Sequence, residues 1–207
     1  MADKIVLKAE RYKNYNMDEL TLKLSEAASR AEAGTVAGAS GALACAMALR
    51  LANGLLSGDP ENERYKYLVK NIDSLRTYMS VLMDQDIRCR APMVKAIREN
   101  RPVEELDACL HPASEITEEI VGMMNVLLDF LIEMSGKLAF SDISVIQASL
   151  ESAMAAVRIS GAWINYLSDL STEETFKFVM RREYEITYGE ITEKYNKITE
   201  TVGSYGR

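Results

Sequence analysis

The chain has 207 residues, with 24 Lys plus Arg against 31 Asp plus Glu and a net charge of −7. That length supports one domain with a sizeable core, and the acidic balance argues against nucleic acid as the main partner. One histidine and three cysteines (Cys45, Cys89 and Cys109) without ligand spacing argue against a His-based metal centre or a Ser-His-Asp triad, and they suit reduced thiols in a cytoplasmic protein.

Residues 1–15 are polar and read as a peripheral lead-in. Leu20, Leu22, Leu24, Ala27 and Ala28 then predict a helix over 17–31. The stretch from Gly34 to Leu56 organises the rest. Gly34, Gly38, Gly41, Ala42, Cys45, Ala46 and Ala48 are small, while Leu43, Met47, Leu51 and Leu55 recur every four residues. This predicts a buried helix closely approached by neighbours, because Gly costs about 1 kcal/mol against Ala in a helix interior. The run approaches the length of a membrane span with small-xxx-small spacing. Arg50 and Asn53 inside it, and the lack of a second such run, argue against a membrane. No basic region with a cleavage site opens the chain.

Asp59-Pro60 predicts the start of a helix to about Arg90, with Leu68, Ile72, Leu75, Met79 and Leu82 on one face. Pro92 is expected to break it, leaving short helices over 93–99 and 103–110 and a stop at His111-Pro112. A helix over 113–135 should end at Gly136 in a left-handed cap. Ser141-Asp142 opens a second small-residue helix to about 168–170, carrying Ala148, Ser149, Ser152, Ala153, Ala156, Ser160 and Gly161. Ser171-Thr-Glu-Glu174 fits a capping box opening a last helix to about Thr201, and residues 202–207 should be peripheral. The expected fold is all-α: one domain over 1–207, a bundle of five to six long helices with the two small-residue helices packed at its centre.

Asp84 and Asp86 lie two apart on a helix, so at most one should point inward. Asp86 follows Leu75, Met79 and Leu82 by eleven, seven and four residues, which places it near their face and makes it the stronger candidate. Asp142 at a helix start is first of all a cap. Asn165 is a polar residue in an apolar run, a candidate site residue or buried cap. Trp163 reads as core or interface, and His111 as a helix-entry residue. Gly34-x-x-x-Gly38 lacks the ending of a phosphate loop.

In this order the features resemble the formiminotetrahydrofolate cyclodeaminase and methenyltetrahydrofolate cyclohydrolase family of all-α folate enzymes, over roughly residues 16–190. The family's Pro-Gly-Gly-Gly-Ser-Val-Ala-Ala corresponds to Ala31-Glu-Ala-Gly34-Thr35-Val36-Ala37-Gly38. Its Asp-x-Asp-Ala appears as Asp84-Gln-Asp86-Ile87, and its Val-Pro-Leu as Leu110-His111-Pro112-Ala113. Its Ser-Asp-x-x-Val appears as Ser141-Asp142-Ile143-Ser144-Val145. Its Asn-x-x-Ile-Asn-like run appears as Gly161-Ala162-Trp163-Ile164-Asn165. The Pro and two of the three glycines of the first motif are replaced, the Leu-Pro-Lys before Pro112 is missing, and the Gly-Asn-x-Asn loop reads Gly136-Lys-Leu-Ala-Phe140.

The resemblance implies a folate-type substrate, a homodimer, and no metal or cofactor. Asp86 and Asp142 would be catalytic, with Gly34, Thr35, Ser141 and Asn165 binding substrate. The first reading is a methenyltetrahydrofolate cyclohydrolase, because the chain carries no transferase partner. The second is a formiminotetrahydrofolate cyclodeaminase. The third is a non-catalytic helical dimer that keeps the fold and binds a different partner. Met123, Met124, Leu127 and Leu128 are the expected dimer surface. The catalytic readings require Asp86 and Asp142 to share a cavity, within about 10 Å of each other.

Overall fold

The computed structural model describes residues 11, 14–25 and 33–204. Among them the fold is all-α, as six helices: α1 (Met17–Ser25), α2 (Ala33–Gly58), α3 (Glu63–Arg98), α4 (Val103–Ser135), α5 (Ile143–Leu170) and α6 (Glu174–Gly203). A single 3₁₀ turn at Phe140–Asp142 leads into α5. Residues 26–31 of the first expected helix, with Ala31 and Glu32 of the glycine motif, lie outside the described residues.

The two small-residue helices pack at the centre, as their composition implies. Gly38 of α2 lies where a Cβ would come within 2.8 Å of the Met83 side chain of α3, and at Gly41 it would meet the Met79 sulfur at 2.8 Å. On its other side α2 receives Ser149 of α5, whose hydroxyl donates to the Ala44 carbonyl at 2.8 Å. By length and composition α2 could cross a membrane, but half of its most apolar window is buried in the bundle. The pairs Gly34–Asp86, Gly38–Met83 and Gly41–Met79 run α3 antiparallel to α2. Arg64–Glu133 and Tyr78–Glu119 run α4 antiparallel to α3. Ser149 beside Ala44, with Trp163 over Arg90, runs α5 antiparallel to α2.

Several local expectations are corrected. The helix expected from Asp59-Pro60 begins at Glu63, where Asn62 caps it by accepting from the backbone N–H groups of Arg64 and Tyr65. Pro92 does not end α3, and Pro112 lies inside α4, which continues from Val103. A proline costs an internal helix bond, but both turns are held by packing: Met93 is 2% exposed, and Leu110 and Ala113 are 0% and 1% exposed. Gly136 ends α4 with φ −79°, not left-handed; the left-handed residue is Asn100 (φ 47°) between α3 and α4. The cap of α6 is displaced as well: Glu173 precedes the helix, and the Ser171 hydroxyl accepts from its N–H at 3.0 Å. The Ser171-Thr172 corner is tied across the bundle to Asp107 of α4. Asp107 accepts from the Ser171 hydroxyl at 2.8 Å, the Thr172 N–H at 3.0 Å and the Thr172 hydroxyl. Met124, Leu127 and Leu128 are fully buried in the core, and Met123 packs against it, so they are not a free dimer surface.

Candidate functional site

Asp86 is 1% exposed and faces the first turn of α2. A Cβ on Gly34 would lie 2.1 Å from its Oδ1 and 2.5 Å from its Cγ, so the carboxylate rests on bare α2 backbone. The Thr35 hydroxyl donates to Asp86 Oδ2 at 3.2 Å. One turn further along α3, Arg90 brings its Nε to 3.5 Å from Asp86 Oδ2, with both side chains buried.

Arg90 in turn lies over the indole of Trp163 of α5, at 5.6 Å. Trp163 is fixed by donating its Nε1–H to the Ala113 carbonyl of α4 at 3.2 Å and by stacking on Tyr166 at 5.1 Å. Four helices therefore converge on one buried ion pair. Outside the Trp163 ring is a shallow cleft of about 470 Å³, bounded by Met93, Val94, Ile97, Arg98 and Tyr166. Cys89, also near Asp86, has its thiol pushed up by burial and by the negative charges of Glu115, Asp86 and Glu119, which makes it a poor nucleophile.

Asp84 is only 8% exposed, so both acids of the pair are withdrawn from water, against the expectation that one faces solvent. Beside Asp84, Leu20 and Leu24 of α1 and the preceding Tyr15 pack around Met83 and Ile87 of α3.

Of the expected site residues, Gly34, Thr35 and Asp86 are brought together. Asp142 and Ser141 are at the other end of the bundle. Trp163 stands level with Arg90, and the twenty-one residues back to Asp142 carry α5 about 30 Å, leaving Asp86 and Asp142 about 25 Å apart along the axis. The two acids do not share a cavity within one chain. Asp142 acts as a cap, accepting from the Ala139 N–H at 3.2 Å. Ser141 edges a cleft of about 750 Å³ between α5 and the end of α6, with Phe140, Gln147, Glu151 and Tyr195. Asn165 lies on the exposed face of α5. His111 sets its ring against Phe176 at 4.4 Å. The residue missed from the sequence is Arg90; its i, i+4 relation to Asp86 was the available signal.

Residues 16–185 match the family model of the formiminotransferase-cyclodeaminase domain. The chain belongs to that family. Its fold is also similar to a solved formiminotetrahydrofolate cyclodeaminase from Thermotoga maritima, with a TM-score of 0.85 and 18% identity over 94% of this chain and 99% of that one. No curated protein matches it. Of the three glycines in the cyclodeaminase motif this chain keeps Gly34, the position where a side chain would strike Asp86. The motif's Ser position is Thr35, whose hydroxyl holds the same carboxylate.

Proposed function

We propose that the chain acts in folate one-carbon chemistry, with Asp86 as its acid/base and methenyltetrahydrofolate cyclohydrolysis as the first reaction to test. The observation that carries this reading is Asp86 itself: a carboxylate held by Thr35 against the glycine-bearing start of α2, in a chain of this family. Cyclohydrolysis forms a C–O bond from water to the one-carbon bridge of the methenyl cation, then breaks a C–N bond to open the ring. A carboxylate that accepts the water proton and returns it to the leaving nitrogen serves both steps. Cyclodeamination would use the same group to help ammonia leave as the ring closes. The expected requirement that Asp86 and Asp142 share a cavity fails within one chain, because Asp142 caps the far end of the bundle; the proposal therefore drops Asp142 and keeps Asp86 as the one acid/base. In this reading substrate reaches Asp86 past α1, which has no fully buried residue of its own.

One observation favours the non-catalytic reading. Arg90 sits 3.5 Å from Asp86 and offsets its charge, whereas a methenyl cation calls for a negative surrounding. Adding protein to methenyltetrahydrofolate and following its near-ultraviolet absorbance separates the two. Acceleration that disappears in Asp86→Asn supports the enzyme. No acceleration, with no folate-induced thermal shift, supports a relative that binds something else.

We also read the chain as a cytoplasmic homodimer. Support for the dimer moves from α4 to α2, where Leu43 is 46% exposed in the middle of this apolar helix.

A further inference from the structure

Eight serine and threonine side chains are buried among the described residues, and seven of them donate a hydrogen bond. The exception is Ser160 of α5: it is 0% exposed, and its Oγ has no partner. A buried hydroxyl without a partner loses its water bonds and gains nothing in return.

Its position follows from two neighbours on the same helix. Ser149, eleven residues earlier, is three turns away and so on the same face; it reaches Ala44 in the middle of α2. Because α5 runs antiparallel to α2, three turns onward bring Ser160 level with the first turn of α2, where Gly34 and Thr35 hold Asp86. Trp163, one turn further, faces Arg90. The Ser160 hydroxyl is thus set between the start of α2 and the Arg90–Trp163 contact, at the end of the bundle that carries Asp86.

We infer that Ser160 is a binding residue of the Asp86 site, its hydroxyl reserved for a polar edge of the ligand. The inference rests on the folate reading above, and the ligand class is a reduced pterin, whose ring N–H and C=O groups can donate to or accept from a hydroxyl. A hydroxyl kept for a ligand should be dispensable to the empty protein.

The test compares wild type with Ser160→Ala. The readouts are the melting temperature without ligand and the affinity for 5-formyltetrahydrofolate, a stable reduced folate. Affinity is followed by fluorescence of Trp163, the single tryptophan. The expected result is a ligand-free melting temperature equal to or above wild type, with affinity weaker by about tenfold, the scale of one lost hydrogen bond in a closed site. Wild type and Ser160→Ala binding equally would overturn the inference and leave the folate reading standing. A lower ligand-free melting temperature with unchanged affinity would overturn it as well, by showing a structural role. Wild type failing to bind at all would take down the folate reading and this inference with it.

Discussion

Two glycines of α2 allow one substitution to be tried in opposite circumstances. At Gly54 an added Cβ meets nothing within 4 Å, so Gly54→Ala should show only the helix-propensity gain of about 0.5–1 kcal/mol. At Gly34 the same Cβ would sit 2.1 Å from Asp86 Oδ1 and 2.5 Å from Cγ. The carboxyl must move, which strains a close-packed site by about 1–3 kcal/mol. It also disturbs a buried ion pair of a kind that costs about 3–5 kcal/mol when one partner is removed. A net loss of about 2–4 kcal/mol is expected. A domain of this size shifts by about 2–4 °C per kcal/mol, so Gly34→Ala should melt roughly 5–15 °C below wild type and Gly54→Ala about 1–4 °C above it. Differential scanning calorimetry reads both. Gly34→Ala melting at or above wild type would refute the seating of Asp86 on the α2 backbone.

Asp107 should give a pH signature. Burial pushes its carboxyl up, but the bonds from Thr172 and Ser171 outweigh it and hold it below its ordinary value of 3.8. The stability it contributes is therefore present above that value and is lost as pH falls through the lowered one. Asp107→Asn should cost about 1–3 kcal/mol at pH 7 in urea unfolding, from weakened charge-assisted bonds. That gap should narrow below about pH 4; a gap constant from pH 7 to pH 3 would contradict the sign. Leu43→Asp should convert a dimer to a monomer in sedimentation while leaving the helical spectrum intact, and a wild-type chain that already sediments as a monomer would end the dimer reading.

The central seam was legible in the sequence because it depends on composition alone. Glycine and alanine at the close-approach positions of α2 and α5 can be counted without knowing what meets them. Asp86 was legible through its spacing from Leu75, Met79 and Leu82. The breaks at Pro92 and Pro112 were misread because proline's penalty is local, while the packing of Met93 and Leu110 that outweighs it comes from other helices. The burial of Asp84 was not legible because a two-residue offset on a helix says nothing of what other elements pack over it. The expected partnership of Asp86 and Asp142 failed on topology. Asp142 lies at a helix start and Asp86 inside α3, and α4 carries the chain the length of the bundle between them, which no single motif records.

The bond from Ser149 to Ala44 joins residues 105 apart in sequence. Chains are made at about 5–20 residues per second, so on the ribosome α2 waits about 5–20 s for the helix that covers its second side. During that interval α3 arrives first, bringing Met79 and Met83 onto the glycine face, and α4 follows with Met124 beside Gly41. The most apolar helix of the protein thus spends the longest part of synthesis half dressed, and the early arrival of α3 beside it shortens the time it is bare.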